Sequence, residues 1–382
     1  MNQATGILVT GATGFIGGRV CERLVQSGFR NVRGLVHDFR HAPRIARLPI
    51  QLRGGDLMNP KSLEEAVAGC KVVFHLGLGP DSGVAKGTRN LAEAAVGAAV
   101  DRFVHISTTA VYGLKPPPDA ATEDARPRRT GNEYCDCKLA AEQVVQVFMA
   151  RGLPAVILRP CIVLGPYSRW SIGIVNQLRK GSYLLIDEGG GLCNTTYVDN
   201  LVDAMLLAAE KPEAVGQTIT ITDGERVTWR DVILAHARML GTEPRFENIS
   251  SAEIDSYYRD QPGVVNASMK ASRKVLTSPE FRKLLRQISI VDKMLIWAWS
   301  KFEGMPELEK DMWRKRLSGG ATANSGKTPA MPDADRAAIE SVGLLFSIEK
   351  ARRVLGYSPR IQFSQAMRRT EQWLRFANFL GV

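Results

Sequence analysis

The sequence has no run of apolar residues that approaches the roughly 18 needed to cross a bilayer. Its N-terminus, MNQATGILVTGATG, lacks the basic segment and long apolar stretch that mark a cleaved secretory signal. Six cysteines are scattered through 382 residues without any C-x-x-C pair, which argues against a disulfide framework or a zinc site. We therefore expect a cytoplasmic protein, in a reducing compartment, without a structural or catalytic metal.

Further absences exclude an ATP site and a nucleic-acid-binding surface. The tripeptide GKT (326–328) would need glycine at position 321 to form a phosphate-binding P-loop, and Ala321 stands there. Basic and aromatic residues are not interleaved on a strand platform, so we expect no nucleic-acid partner. The net charge of +11 indicates an anionic partner, whether a nucleotide, an acyl carrier or a membrane surface.

The first 160 residues alternate between short apolar strands and longer helical segments. Continuous apolar strands separated by helices indicate a parallel sheet covered on both faces, so we predict an α/β fold of the doubly wound Rossmann type. The predicted strands are 6–10, 31–36, 71–76, 102–107, 155–160, 183–187 and 217–222. The predicted helices are 15–27, 61–69, 84–99, 134–151, 199–210 and 228–240.

The pattern predicts a nucleotide-binding domain over 1–165, to which 195–240 returns in part. A smaller, mostly C-terminal substrate-binding region would take 166–194 and 241–382. Within it, the window 270–316 holds 12 Lys and Arg against 6 Asp and Glu. Its apolar residues recur at helical intervals, so 264–316 is predicted to be a helical lid carrying Trp297 and Trp299, or alternatively a surface for a membrane or lipid carrier. Residues 317–333, small and polar, are predicted to form a mobile loop.

The stretch TGATGFIGG (10–18) directly follows the first strand and opens the first helix. In that context Gly11 permits a tight turn, Gly14 lets the backbone approach a pyrophosphate, and Gly17 lets the helix pack on the sheet. The free N–H groups and the dipole at the start of the helix then favour negative charge. This loop predicts a dinucleotide site.

The spacing T-G-x-x-G-x-x-G, followed by Tyr134-x-x-x-Lys138, resembles the extended branch of the short-chain dehydrogenase/reductase superfamily. That branch includes dihydroflavonol-type reductases, 3β-hydroxysteroid dehydrogenases and the epimerase/dehydratase group. The resemblance extends to GDL (55–57), HISTTAVYG (105–113), LRPCIVLGP (158–166), TTYVDNLVDAM (195–205) and the closing segment 347–374. The resemblance implies an NAD(P)-dependent enzyme that forms a homodimer, as is common in the family. The cofactor contacts that it implies are Gly11, Thr13, Gly14, Phe15, Ile16, Gly17, His37, Arg40, Asp56, Leu57, Leu76, Tyr134, Lys138 and Pro160.

The end of the second strand bears on the choice between NAD and NADP, because an acid there binds the ribose 2′-OH and basic residues accept the 2′-phosphate. Val36 falls where members that use NAD often carry Asp. His37 and Arg40, with Arg19 as a further candidate, are placed to meet a phosphate. Asp38 follows one or two residues late and could still reach the ribose. The sequence therefore favours NADP over NAD.

Tyr134 and Lys138 carry the predicted chemistry. Positions i and i+4 share a helix face, whereas Cys135 and Cys137 point elsewhere and are interpreted as packing residues. A phenol with a pKa near ~10 is too weak an acid for carbonyl reduction unless a nearby ammonium stabilises the phenolate. Tyr134 would thus be the general acid or base, with Lys138 also binding the nicotinamide ribose.

The hydroxyl that holds the substrate oxygen is assigned by resemblance to Thr108, three residues before Val111. If the motif is offset by one residue in this sequence, Ser107 or Thr109 takes this role instead.

Two departures from family motifs narrow the reaction. The chain has Thr109-Ala110 where dehydratases of this branch show an Asp-Glu pair, which argues against dehydration. Ile162 replaces the Asn that holds the diphosphate in sugar-nucleotide epimerases. We therefore predict a reversible ketone/alcohol oxidoreductase for a fairly apolar or lipid-like small molecule. A nucleotide-sugar epimerase and a non-catalytic NADP-binding regulator remain the alternatives.

Overall fold

Short apolar runs form the strands of a parallel sheet, since such runs can be buried on both faces. The computed structural model of the protein describes residues 1–77, 83–241, 243–259 and 331–380. Its strands are β1 (Ile7–Thr10), β2 (Val32–Val36), β3 (Gln51–Gly54), β4 (Val72–His75), β5 (Arg102–Ile106), β6 (Ala155–Pro160), β7 (Ile162–Leu164), β8 (Ser182–Ile186), β9 (Thr195–Tyr197), β10 (Thr218–Ile221) and β11 (Arg245–Ile249).

The described helices are numbered in chain order, and two groups of them cover the faces of this sheet. They are α1 (Phe15–Gln26), α2 (Pro43–Ala46), α3 (Pro60–Val67), α4 (Val84–Gly97), α5 (Glu133–Ala150), α6 (Arg169–Leu178), α7 (Val198–Glu210), α8 (Trp229–Leu240), α9 (Ser251–Arg259), α10 (Ala334–Glu340), α11 (Glu349–Leu355) and α12 (Phe363–Phe376). One core cluster joins the sheet to α1, α7 and α11, and a second joins it to α3, α4 and α5. The two clusters make the fold a three-layer sandwich.

Seven strands lie in the order β3-β2-β1-β4-β5-β6-β10, and every neighbouring pair is parallel. The chain leaves β1 toward β2 and β3 and then returns to place β4 on the other side of β1. This reversal opens a crevice at the carboxyl ends of β1 and β4, where open α/β sheets bind their ligands. The predicted doubly wound Rossmann fold is confirmed.

The strand β3 was not among the predicted strands. Its residues QLRG are mostly exposed at the edge of the sheet, so the apolar signal of a buried strand is missing. Outside the main sheet, β7 pairs with β9 and β8 pairs with β11. A third core cluster, built largely from α6, α8 and α12, supports these short pairs.

Residues 1–251 and 332–380 form one compact unit, and a second unit begins at Ala252 with the remainder of α9. The predicted lid 264–316, its Trp297 and Trp299, the GKT tripeptide and most of the loop 317–333 lie outside the described residues. Among the helices that the structure does describe, none is long and apolar enough to span a bilayer.

Candidate active site

The glycine loop turns sharply between β1 and α1 and packs against the end of β4. Gly11 has φ +65°, and a Cβ on it would lie 2.9 Å from the carbonyl of Leu76. A Cβ on Gly17 would lie only 2.1 Å from the Gly11 carbonyl oxygen. Both positions therefore require glycine, because a side chain would force the loop away from the sheet.

The start of α1 is open for an anion. Gly14 is the N-cap residue and no side chain caps the helix, so the first-turn N–H groups have no side-chain acceptor. Thr13, Phe15 and Ile16 are half-buried around this turn, and Gly14 is exposed. A helix start of this kind suits a pyrophosphate, so the residues present fit a dinucleotide.

Thr10 joins the ends of β1 and β4, a role that the sequence motifs did not reveal. Its Oγ1 accepts hydrogen bonds from the N–H groups of Leu76 (3.2 Å) and Gly77 (3.0 Å). The same oxygen lies 2.9 Å from His75 Nδ1, and His75 Nε2 lies 3.0 Å from Thr88 Oγ1. Burial and the nearby charge of Lys138 lower the pKa of His75 to about 3, so this histidine is neutral.

The end of β2 holds the residues that bear on NADP. Arg40 Nε lies 2.9 Å and Nη2 2.6 Å from the Asp38 Oδ2 atom, and this pairing lowers the pKa of Asp38 to about 2. His37 is exposed, with Nδ1 4.0 Å from Asp56 Oδ1. Arg19 instead pairs with Asp199 and Glu22, away from the role considered for it. The acid and the base of this segment thus neutralise each other.

Asp56 and Leu57 follow the carboxyl end of β3, at the same edge of the parallel sheet as the glycine loop. The Asp56 carboxylate accepts the Met58 N–H at 2.9 Å, so it acts as a local cap. Leu57 is half-buried, and its carbonyl accepts a 2.9 Å hydrogen bond from Asn90 Nδ2. Pro160 lies at the buried end of β6. Leu57 packs closely on Gly77, since a Cβ on this glycine would lie 3.0 Å from Leu57 Cδ1. The Leu76 carbonyl packs in the same way on Gly11.

Tyr134 lies in the first turn of α5, which is held firmly. Asn132 caps the helix, its Oδ1 accepting the Cys135 N–H at 3.2 Å, and the Asp136 carboxylate accepts the Thr130 N–H at 2.8 Å. The Tyr134 side chain is 46% exposed, yet it lines a cleft whose walls enclose it. This enclosure raises the pKa of the phenol, while a hydrogen bond with Thr108 acts to lower it.

Lys138 is buried one turn farther along α5. Its Nζ donates a 2.7 Å hydrogen bond to the Ile106 carbonyl at the end of β5. Burial lowers the pKa of this ammonium to about 8, against the opposing effect of Cys137 and Glu142. The Tyr134 phenol is thus hydrogen-bonded to Thr108, and the Lys138 ammonium to the Ile106 carbonyl.

Three consecutive hydroxyls follow β5, and the structure separates them. Ser107 Oγ donates to Glu142 Oε2 at 2.7 Å and is buried. Thr109 hydrogen-bonds with Cys161. Thr108 lines the cleft and is the one that reaches Tyr134. The register counted from Val111 therefore places the expected hydroxyl beside the phenol.

The cysteines around Tyr134 form no disulfide. None of the six cysteines is in a disulfide, and Cys135 is a buried residue of α5, as expected for a packing residue. Cys161 differs because it lines the cleft, and burial raises its pKa to about 11, so it is a neutral thiol.

A cleft of about 410 Å³ opens beside Tyr134. Its floor and walls come from well-separated parts of the chain, and they are mainly apolar. The lining residues are Thr108, Thr109, Ala110, Gly113, Leu114, Pro116, Asn132, Tyr134, Cys161, Ile162, Trp170, Leu192, Asn194, Trp229, Asp335, Ile339, Val342 and Phe346. Asp335 is the one charged side chain among these described lining residues.

Trp229, Asn194 and Phe346 were missed by motif reasoning. Trp229 is buried with its ring 5.6 Å from that of Trp170, and its Nε1 donates to the Ile339 carbonyl at 3.3 Å. Asn194 accepts the Phe346 N–H at 2.9 Å, which holds the C-terminal segment against the cleft. The Thr228-x-x-Asp231 capping box marks the start of α8 in the sequence, but no local pattern shows that Trp229 faces the cleft.

A model of the NAD dependent epimerase/dehydratase family matches residues 7–222, more than half of the chain. The chain belongs to this family. Membership confirms the resemblance to extended short-chain dehydrogenases/reductases, and it makes the protein an NAD(P)-dependent oxidoreductase of the epimerase/dehydratase type.

Two curated relatives of this epimerase/dehydratase protein are named as reductases. The 4-hydroxy-2-methyl-3-oxo-4-farnesyl-3,4-dihydroquinoline-1-oxide ketoreductase of Stigmatella aurantiaca is 29% identical over 63% of this chain and 75% of its own. The 2-alkyl-3-oxoalkanoate reductase of Stenotrophomonas maltophilia is 30% identical over 59% of this chain and 73% of its own.

Among solved structures, the UDP-glucuronic acid 4-epimerase of Bacillus cereus, in complex with NAD, has the same fold. Its TM-score is 0.66 at 20% identity, and the match covers 98% of this chain and 99% of that one.

Proposed function

We propose that the protein interconverts a ketone and a secondary alcohol on a fairly apolar small molecule, with NADP preferred over NAD. The observation that carries this proposal is the lining of the cleft beside Tyr134. Its described residues include two tryptophans, Phe346 and several aliphatic side chains, but no Lys or Arg. Apolar walls with a few polar groups suit an uncharged substrate, whereas the diphosphate of a nucleotide sugar calls for cationic or amide donors.

The amide side chain of Asn194 is bonded to the backbone of the C-terminal segment at both of its polar atoms. Its Nδ2 donates to the Leu344 carbonyl at 2.9 Å, while its Oδ1 accepts the Phe346 N–H. Ile162, at the position of the family's diphosphate-binding Asn, also lines the cleft. Two curated relatives named as reductases support the same reading.

Thr108, Tyr134 and Lys138 have separate roles in the proposed reaction. When bound, the nicotinamide supplies or accepts the hydride. Thr108 orients the carbonyl oxygen, and the Tyr134 phenol donates the proton that converts this oxygen into a hydroxyl. A charged Lys138 favours the phenolate that remains. In the oxidative direction the phenolate takes the proton back from the alcohol.

The test combines cofactor binding with turnover. NADPH and NADH are titrated by fluorescence, and then 4-phenyl-2-butanone, 2-decanone, ethyl 3-oxooctanoate and their alcohols are offered to wild type and Tyr134→Phe. We expect tighter binding of NADPH and loss of about 10²- to 10⁴-fold in kcat in the variant, because the proton donor is gone. Cofactor affinity should change little.

Two results would refute the proposal. Interconversion of UDP-glucose or UDP-glucuronic acid without net cofactor oxidation would make the protein an epimerase. Binding of NADPH without turnover of any ketone, alcohol or nucleotide sugar would favour a cofactor-binding regulator.

A further inference from the structure

One face of α5 carries three ionisable residues at intervals of four: Tyr134, Lys138 and Glu142. Residues at this spacing lie above one another on a helix. Their exposed fractions fall from 46% to 6% to 0% along the row. The row therefore runs from the cleft into the interior, and Glu142 is its buried end.

The end of β5 contacts this row through consecutive residues. The Ile106 carbonyl accepts the Lys138 Nζ hydrogen bond at 2.7 Å, and Ser107 Oγ donates to Glu142 Oε2 at 2.7 Å. The next residue is the threonine that lies beside the phenol. A shift of Ser107 would therefore move both the carbonyl that holds the ammonium and the hydroxyl expected to hold the substrate.

Glu142 is fixed from its other side by β6. Arg159 Nε donates to Glu142 Oε2 at 3.1 Å, and Arg159 Nη2 pairs with Oε1. The guanidinium also bonds the Tyr112 hydroxyl and lies 4.8 Å from the centre of that ring. Both carboxylate oxygens thus have donors, as a buried charge requires. The carboxylate joins β5, β6 and α5 at one point.

The charge of Glu142 also acts on Lys138. Burial lowers the pKa of the ammonium, while Cys137 and Glu142 are the groups that raise it. The two imidazoles near the ammonium, His75 and His105, have pKa values lowered by burial and are neutral at pH 7. Besides the imidazoles, the ionisable groups that act on Lys138 are Cys137 and Glu142. Glu142 in turn bonds Arg159, which bonds the Tyr112 hydroxyl, and the Glu123 carboxylate also acts on Tyr112.

We propose that Glu142 is a positioning residue, which holds the end of β5 against α5 and places a buried carboxylate one helical turn behind Lys138. Its catalytic consequence rests on the proposed roles of Tyr134 and Lys138. Glu142 extends the Tyr134-x-x-x-Lys138 row by one further helical turn. The buried carboxylate therefore favours the charged form of Lys138, and the lysine in turn favours the Tyr134 phenolate.

The direct test does not depend on turnover. Wild type and Glu142→Gln are prepared with ¹³Cε-labelled lysine, the Lys138 resonance is assigned with Lys138→Arg, and the pKa is followed by NMR. We expect a decrease of about one unit in the variant, because a compensating negative charge is removed and Arg159 is left unbalanced. Glu340→Gln is the matched control, since Glu340 is also buried and its Oε1 lies 2.7 Å from Arg336 Nε.

Turnover supplies the second readout. With 4-phenyl-2-butanone and NADPH, the fall of kcat at high pH should begin about one unit lower in Glu142→Gln. Because the Lys138 pKa starts at about 8, kcat should drop only about twofold at pH 7 and about tenfold at pH 9, while cofactor affinity stays within about twofold. Ser107→Ala keeps the charge and removes one hydrogen bond, so kcat should fall without a shift of the high-pH limb.

The outcomes separate the two proposals. An unchanged Lys138 pKa in folded Glu142→Gln, with an unchanged high-pH limb, would overturn the positioning role and leave the reductase proposal intact. Full activity of Tyr134→Phe would instead overturn the reductase mechanism, and the NMR titration would still decide the role of Glu142. If Glu142→Gln does not fold, wild-type kcat in Ser107→Ala counts against the positioning role, and a decrease supports it.

Discussion

The cofactor end and the substrate end of the molecule are built in different ways. The cofactor end uses backbone geometry between residues 6 and 77, with glycines whose Cβ atoms would overlap neighbouring strands. The substrate cleft uses side chains from widely separated parts of the chain, at positions 108–116, 132–134, 161–162, 170, 192–194, 229 and 335–346. A site defined by backbone contacts tolerates little change, whereas a cleft defined by side chains can be altered by substitution without altering the sheet.

The largest effect should follow from a single methyl group at the cofactor end. Gly17→Ala places a Cβ 2.1 Å from the Gly11 carbonyl oxygen, so the loop must move. We expect a loss of about 3 kcal/mol or more of stability and at least ~100-fold weaker NADPH binding. Thermal unfolding and fluorescence titration measure the two effects.

The matched control is Gly173→Ala in α6, where a Cβ would meet no atom within 4 Å. This variant should gain about 0.5–1 kcal/mol, since alanine is the better helix former. Equal behaviour of the two variants would contradict the claim that the glycine loop is defined by close backbone contact.

Two buried asparagines sharpen the comparison, because each supports a different end. Asn194 holds Leu344 and Phe346 at the cleft, whereas Asn90 holds the Leu57 carbonyl at the cofactor end. Asn194→Ala should remove about 2 kcal/mol of stability and lower kcat/KM for an apolar ketone about thirtyfold. Asn90→Ala should weaken NADPH binding instead. Steady-state kinetics and cofactor titration measure the two effects. If both variants changed kcat/KM and the NADPH dissociation constant equally, the two asparagines would not support different ends of the molecule.

Trp170 contributes apolar surface to the cleft but little to stability, because 37% of its side chain is exposed. Trp170→Ala should raise KM for 4-phenyl-2-butanone about tenfold, the loss expected for an aromatic contact of 1–2 kcal/mol, with Tm almost unchanged. Phe376→Ala serves as the control, since this ring is 86% exposed on α12 and is not among the lining residues. A similar KM in both variants would remove Trp170 from the substrate site.

The smallest effect concerns the choice of cofactor. Arg40 is exposed and already paired with Asp38, so its attraction for a 2′-phosphate is partly offset and screened by salt. Arg40→Ala should weaken NADPH binding about threefold and leave NADH binding unchanged. Titrations at low and high salt measure the difference. An equal loss for both cofactors would show that Arg40 does not meet the 2′-phosphate.

Motif spacing anticipated the backbone of this protein better than its cleft. The strands of the main sheet carry their own apolar signal, except β3, whose residues QLRG lie exposed at the edge. Tyr134 and Lys138 could be paired by helical periodicity, and the spacing to Val111 selected Thr108. Trp229 and Phe346 gave no such signal, because they face the cleft only after α8 and the C-terminal segment have packed.

The sequence by itself determined the parallel sheet, the glycine turn and the Tyr134/Lys138 row, because each depends on local periodicity or on residues a few positions apart. Only the tertiary structure decided which residues line the cleft, which partners fix Ser107 and Thr109, and that Glu142 lies behind Lys138. These features join segments up to about two hundred residues apart, as Asn132 and Asp335 show with a 3.1 Å hydrogen bond across 203 positions. Local pattern carries no record of such distant contacts, which arise when the helices pack on the sheet.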